Sequence, residues 1–101
     1  MQKIGFSRAK RNVLKCLEEK NYLHEERGNI QVKNLLAAGE VDDKFVSALI
    51  RKSKGIHHES CPHHYSSETE VHIIRYDGWY IKFYFIEVEP NHRTTFISVH
   101  Q

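Results

Sequence analysis

Six side chains in the last third of the chain are of types that bind phosphate or transfer protons. They lie between Glu70 and Gln101 and are Arg75, Tyr80, Lys82, Tyr84, Ser98 and His100. Arg and Lys bind phosphate, Tyr stacks on a base, and His transfers protons near neutral pH. Metal-free RNA cleavage uses such groups, because a base removes the 2′-hydroxyl proton, a cation stabilises the phosphorane, and an acid protonates the leaving oxygen. The same residues equally fit a solvated sheet face with cross-strand pairs.

A second group of reactive side chains precedes it, in the segment IHHESCPHHYSSE. Its candidate metal ligands are His57, His58, Cys61, His63 and His64. Structural zinc needs four ligands, usually two pairs from separated segments, and no second pair with standard spacing exists. We therefore predict no metal and no other cofactor, and a zinc-binding loop is the alternative.

The dipeptide Asp77-Gly78 predicts a β-hairpin, because both residues tolerate the positive φ of a type I′ turn. A two-residue turn places Tyr76 opposite Trp79 and Arg75 opposite Tyr80. Side chains then alternate between two faces. The predicted apolar face carries Ile74, Tyr76, Trp79, Ile81, Phe83 and Phe85. The predicted polar face carries Arg75, Tyr80, Lys82 and Tyr84, with Val71 and Ile73.

A third strand is predicted over Thr94–His100, after the loop EPNHR. Pairing Val88 with Thr94 puts Ile97 and Val99 on the apolar face. The same register puts Ser98 beside Tyr84 and His100 beside Lys82. A one-residue slip would invert every side chain.

Three amphipathic helices are predicted ahead of the sheet. The first follows a Ser7 cap, the second runs from Asn29 to Gly39, and the third runs from an Asp42 cap to Gly55. The predicted fold class is therefore α+β, with N-terminal helices packed on one face of a three- or four-stranded antiparallel sheet. We predict one domain, 1–101, with a helical part (1–55), a His-rich loop (56–69) and an antiparallel sheet (70–101).

Composition is that of an ordinary single domain, with 101 residues, 40% of them hydrophobic and 28% charged. The formal net charge of +2 is too small to indicate a nucleic-acid partner by itself. No secretory signal or membrane-spanning run is visible, so we expect a cytoplasmic protein with no membrane partner.

Three short stretches resemble the motility quorum-sensing regulator family of mRNA interferases, within the RelE-like toxin superfamily. Tyr65-Ser66 with Thr69 resembles its Tyr-Ser-Asp-His-Thr stretch, Tyr80-Ile81-Lys82 its Tyr-Leu-Lys strand, and Ile97-Ser98-Val99-His100 its last strand. Tyr80 and Lys82 match residue for residue. His72 and His100 match only by position, since the family has Gln and Lys there.

The resemblance implies a RelE-like fold and a metal-independent endoribonuclease toxin that cuts mRNA, free or on the ribosome, and is held by a cognate antitoxin protein. Lys82 and Arg75 would hold phosphate, His100 would be the acid or base, and Tyr80 would position the nucleotide. The residues expected to bind substrate are Tyr84, Ser98, Tyr65, His63, His64 and His72. The alternative is a non-catalytic RNA- or protein-binding module.

Overall fold

The computed structural model describes residues 4–25, 33–64, 66–88 and 91–101. The helices are α1 (Gly5–Glu18), α2 (Leu35–Ala38) and α3 (Asp43–Lys52), followed by a 3₁₀ turn (Gly55–His57). The strands are β1 (Tyr22–His24), β2 (His58–His63), β3 (Ser66–Tyr76), β4 (Trp79–Val88) and β5 (Asn91–His100). None of the helices in these four ranges has the length and apolar character needed to cross a membrane.

The strands form one five-stranded sheet in the order β1-β5-β4-β3-β2. The α+β class is confirmed, but the prediction of a three- or four-stranded, wholly antiparallel sheet is wrong. Strand β1 pairs parallel with β5, with Tyr22 beside Thr94. A strand of three residues is too short to show an alternating pattern, and only its tertiary pairing defines it.

The prediction of a His-rich loop over residues 56–69 is also wrong for much of that range. Residues His58–His63 form β2, which pairs antiparallel with β3 and sets Cys61 opposite Val71. Strand β2 lies at the edge of the sheet. Pro62 is tolerated there because proline has no backbone N–H to donate, and an edge strand is paired on one side only. The register shifts between Pro62 and His63, so the strand ends in an irregularity.

The hairpin of β3 and β4 is confirmed. Tyr76 pairs with Trp79 and Arg75 pairs with Tyr80. Asp77 and Gly78 have φ of 53° and 79°, as a type I′ turn requires. The predicted apolar face is confirmed as well: Ile74, Ile81 and Phe83 belong to the core, and Tyr76, Trp79 and Phe85 pack against it.

The predicted register of β5 is wrong. Val88 pairs with Asn91 rather than with Thr94, and the pairing is interrupted between Lys82 and Phe83. Phe83 pairs with Phe96 and Lys82 pairs with Ser98, so Ile97 is an extra residue in β5, a β-bulge.

The bulge changes which β5 residues reach the core. Phe96 and Val99 are both fully buried members of the core cluster, although they differ in parity along the strand. Ile97 is buried at the bulge itself, but it is not a member of that cluster. The prediction that Ile97 and Val99 share the apolar face therefore holds for Val99 alone.

Helix α1 begins at Gly5, before the predicted cap Ser7, and its N-terminus has no side-chain cap. The predicted cap of α3 is confirmed, because Asp42 Oδ1 accepts a hydrogen bond from Phe45 N at 2.9 Å. Gly39 ends α2 with a positive φ of 82°, as predicted. The predicted cap Asn29 lies outside the described residues.

Both longer helices contribute to the core. Val13 and Leu17 of α1 and Val46 and Ile50 of α3 lie in one cluster with Phe83. The helices run antiparallel, since Lys10 Nζ of α1 donates to the carbonyls at the end of α3, while Lys20 pairs with Asp43 at its start.

Replacing Phe83 by Ala is expected to lower the free energy of unfolding by roughly 3–5 kcal/mol, because the buried ring leaves a cavity. Ile86→Ala on the same strand is the matched control; that side chain is 41% exposed, so a loss of about 1 kcal/mol or less is expected. Urea denaturation of the two variants and the parent measures both values. Equal losses would contradict the assignment of the two faces.

Candidate functional site

The predicted polar face is present, and strand pairing arranges its residues in three rows across β3, β4 and β5. The first row is Arg75, Tyr80 and His100; the second is Ile73, Lys82 and Ser98; the third is Val71, Tyr84 and Thr95. All six residues singled out for phosphate binding and proton transfer therefore lie on one face. We call these nine residues the polar face.

The side chains of the first row contact one another. The Arg75 guanidinium lies 5.2 Å from the centre of the Tyr80 ring, and the Tyr80 and His100 rings stack with centroids 5.2 Å apart. Arg75 also forms an ion pair with Glu59 of β2. His100 Nδ1 lies 2.9 Å from the Gln101 carbonyl oxygen, which only accepts, so Nδ1 carries the hydrogen. In the neutral ring Nε2 is then the nitrogen that accepts a proton.

Lys82 occupies the middle row, opposite Ser98 and not opposite His100 as predicted. The shorter connection from β4 to β5 and the bulge at Ile97 together place His100 two residues along the sheet, beside Tyr80. Lys82 is half-buried, and its ammonium group forms no ion pair within the described ranges. Lys82 therefore differs from Arg75, whose charge is already balanced by Glu59.

Tyr84 of the third row belongs to a cluster of three polar side chains from distant parts of the chain, and the other two, His63 and Glu25, border the row. His63 Nε2 lies 2.9 Å from Glu25 Oε1, and the His63 ring contacts the Tyr84 ring edge-on at 4.9 Å. The Tyr84 hydroxyl donates to the same Glu25 oxygen at 3.5 Å. Burial raises the pKa of Tyr84 above its ordinary value, and the negative charge of Glu25 raises it further. Tyr84 therefore remains a hydrogen-bond donor at neutral pH.

Glu25 is a site residue that the sequence analysis missed. It follows β1 directly, and its backbone N–H donates to Phe96 O at 2.9 Å, which extends the ladder with β5. In the sequence it stands within the charged run His24-Glu25-Glu26-Arg27, where it resembles an ordinary solvent-exposed residue. No local signal could have identified it, because its position depends on the parallel pairing of β1.

His72 lies on the opposite side of the sheet from the polar face. It pairs with Phe83, its ring stacks on Phe83, and its side chain is 1% exposed. His58 Nε2 lies 3.0 Å from His72 Nδ1, and Glu70 Oε1 lies 3.7 Å from His72 Nε2. Burial lowers the pKa of His72 to about 4, against the opposing effect of the Glu70 carboxylate. Alternation from Ile74 places His72 on the apolar face, as observed, so His72 does not lie with the substrate-binding residues that the resemblance implied.

A cleft of about 280 Å³ opens beside His72, on the side of the sheet where α1 lies. Arg8 and Asn12 of α1 line it, together with Glu70 of β3 and His92 of β5. This cleft is separate from the polar face.

The five candidate metal ligands do not converge. His57 packs against the Tyr76 ring, His58 contacts His72, and His63 contacts Glu25. Cys61 is a half-buried free thiol, and His64 lies in the turn after β2. Within the part of the chain that the structure describes, no three His, Cys, Asp or Glu side chains are grouped so as to hold a metal ion. Tyr65 lies outside the described residues.

No model of a known protein family matches this chain, and no curated protein or solved structure matches it either.

Acid should destabilise the fold through His72. Its ordinary pKa is 6.5, and burial holds the folded-state pKa at about 4. Below pH 6.5 the unfolded chain therefore binds a proton that the folded chain excludes. The free energy of unfolding should fall by up to about 1.4 kcal/mol per pH unit until pH 4 is reached. Urea denaturation at pH 7, 6 and 5 measures this slope.

The His72→Gln variant should show a smaller loss of stability between pH 7 and pH 5, since one buried imidazole is gone. His58 also has a pKa lowered by burial, so part of the slope should remain. Val99→Ala is the control, because it weakens the core without removing a titrating group, and its slope should equal that of the parent. An unchanged slope in His72→Gln would contradict the assignment.

Chelator should leave the melting temperature of the protein unchanged, because the candidate ligands are dispersed. Binding of structural zinc contributes directly to folding free energy, so its removal would lower the melting temperature by many degrees. Thermal melts with and without EDTA make the comparison, and a large drop in EDTA would instead support a metal site.

Proposed function

We propose that this protein is a metal-independent endoribonuclease that binds and cuts RNA on the polar face. The observation that carries the proposal is the combination of Lys82, a cation without an ion pair among the described residues, with His100 in the neighbouring row. The His100 ring is held by Tyr80 and by the Gln101 carbonyl, which leaves Nε2 for proton transfer. Phosphate binding and proton transfer are therefore available side by side.

The roles follow from the contacts. Lys82 would bind the scissile phosphate, because the described residues provide no carboxylate for it. Arg75 would assist, although its ion pair with Glu59 must first be exchanged for a phosphate contact. His100 would act as the acid or base for the 2′-hydroxyl or the 5′-oxygen, and attack by the 2′-oxygen would leave a 2′,3′-cyclic phosphate.

The two tyrosines would position the nucleotide. Tyr80 presents its ring within the first row. Tyr84, still protonated at neutral pH, would exchange its hydrogen bond to Glu25 for one to a phosphate or sugar oxygen. Ser98 is buried opposite Lys82 and would act by supporting that lysine. His63 and Glu25 border the third row and would line the path of the RNA.

We further propose that the protein is a toxin of a toxin–antitoxin pair, acting on mRNA in the cytoplasm and held inactive by an antitoxin protein. The resemblance of the Tyr80-Ile81-Lys82 strand to the RelE-like superfamily supports this proposal, and so does the α+β class. Induced expression in a bacterial host should arrest growth, while His100→Ala expressed at the same level should not. Equal growth of cells carrying the parent and the variant would count against a toxin.

The His100→Ala variant should cut RNA about 10²–10⁴-fold more slowly than the parent while its affinity for RNA stays nearly the same, because a proton-transfer group acts only in the transition state. Lys82→Ala should lower both affinity and rate, since the phosphate contact exists in both states. Single-turnover cleavage of a labelled RNA gives the rate, and fluorescence anisotropy gives the affinity.

His57→Ala is the matched control, because this histidine contacts Tyr76 on the other side of the sheet. An RNA with a single 2′-deoxy nucleotide at the cut position should resist cleavage, since the attacking hydroxyl is absent. If His100→Ala cuts as fast as the parent, the role of His100 is wrong. If the parent binds RNA without cutting it, the protein is a binding module.

A further inference from the structure

The outer side of the two longer helices carries a dense group of positive charges. Between Gly5 and Leu17 and again between Lys44 and His58 the chain contains no acidic residue. The exposed cations of these segments, on α1 and at or just beyond the end of α3, are Arg8, Arg11, Lys15, Arg51, Lys52 and Lys54. We call this group the basic helix surface.

The basic helix surface is one continuous part of the molecule. Lys10 Nζ donates to Arg51 O at 2.8 Å and to Ser53 O at 2.9 Å, so the middle of α1 lies against the end of α3. Arg11 follows Lys10 in the sequence, so it lies close to the end of α3, which bears Arg51 and Lys52. The ion pairs of the described residues involve none of these six cations.

Balance of the helix dipole and the presence of a nearby carboxylate explain only part of this positive charge. Arg51 and Lys52 stand in the last turn of α3, where cations balance the helix dipole. Lys10 serves the same carbonyls directly, and Arg11 lies in the interior of α1 where the dipole effect has decayed. Arg8 lines the same cleft as Glu70, a residue of opposite charge. Lys15 stands in the last turn of α1, where the dipole explanation also holds, so Arg11 alone among these six cations has neither explanation.

Among the described residues, the basic helix surface lacks an exposed apolar stripe and paired carboxylates, and this indicates the type of partner. The apolar residues of α1, including Val13 and Leu17, are buried in the core, so this helix has no free apolar stripe to insert into a membrane. Protein interfaces need an apolar centre, whereas interfaces with nucleic acids are polar and strongly positive. Exposed cations without paired carboxylates fit a chain of phosphates.

We propose that the basic helix surface binds the phosphate backbone of RNA. It lies on the side of the sheet away from Lys82, because α1 and α3 contribute Val13 and Ile50 to the core against Phe83. The protein measures 32 × 29 × 24 Å. A strand of about 20 nucleotides extends roughly 68 Å even at a rise of 3.4 Å per nucleotide, so it can contact both surfaces. This proposal does not depend on cleavage at the polar face.

The test is the salt dependence of RNA binding. Each phosphate contact to a single strand contributes about −0.7 to the slope of log affinity against log salt concentration. A variant with Arg11→Gln, Lys15→Gln, Arg51→Gln and Lys52→Gln should flatten that slope by about 2 to 3 and bind roughly 10- to 100-fold more weakly at 50 mM salt. Anisotropy with a labelled 20-nucleotide RNA, from 50 to 300 mM salt, measures both quantities.

Two matched controls separate charge from folding. The variant Arg11→Lys, Lys15→Arg, Arg51→Lys and Lys52→Arg keeps every charge at the same positions, and it should keep the slope of the parent. Gln has nearly the helix propensity of Arg and Lys, and all four positions are exposed, so the neutral variant should melt within a few degrees of the parent.

The possible outcomes separate RNA binding by the basic helix surface from RNA cleavage on the polar face. If the neutral variant keeps the slope of the parent, or the parent binds no RNA, the basic helix surface does not bind RNA. If the parent cosediments with phosphatidylserine vesicles but does not bind RNA in the anisotropy measurement, a membrane surface is the partner and the proposal is wrong. If the parent binds RNA without cutting it and the slope still flattens, this proposal stands and the nuclease proposal fails.

Discussion

The extra residue at Ile97 is the constraint on which the sheet depends. Side chains alternate along a strand, so a regular β5 could direct only one of Phe96 and Val99 into the core. The bulge reverses the alternation, and both side chains become fully buried. The same reversal brings His100 opposite Tyr80. One local irregularity therefore completes the hydrophobic core and assembles the first row of the polar face.

The two sides of the sheet place histidine in opposite environments. On the helix side, His72 is enclosed by Phe83, Phe85 and His58, and burial keeps its ring neutral at physiological pH. On the polar face, His100 is partly exposed and has an oriented ring. A buried histidine of this kind contributes to stability and to its pH dependence. A partly exposed histidine beside a lysine can act on a ligand.

Burial of the apolar helix faces decides which charges remain for binding. Val13 and Leu17 turn α1 towards the sheet, and its cationic positions then point outward. The polar face lies on the other side of the same sheet. Under the two proposals, one surface would hold the RNA backbone and the other would carry out the chemistry, with the core between them preventing direct contact of the two sets of charges.

The amino-acid sequence by itself determined the strongly local features of this protein. Asp77-Gly78 specified the turn, alternation sorted Ile74 to Phe85 between two faces, and Asp42 capped α3, because each depends on residues close in the chain. Those features were enough to predict the α+β class and to place Arg75, Tyr80 and Lys82 on one face. The tertiary structure alone decided the rest. Strands β1 and β2 exist through pairing with distant partners, and the bulge at Ile97 exists because Phe96 and Val99 must both be buried. Glu25 reaches the polar face for the same reason: its position depends on a contact across about seventy residues of chain, which no local pattern encodes.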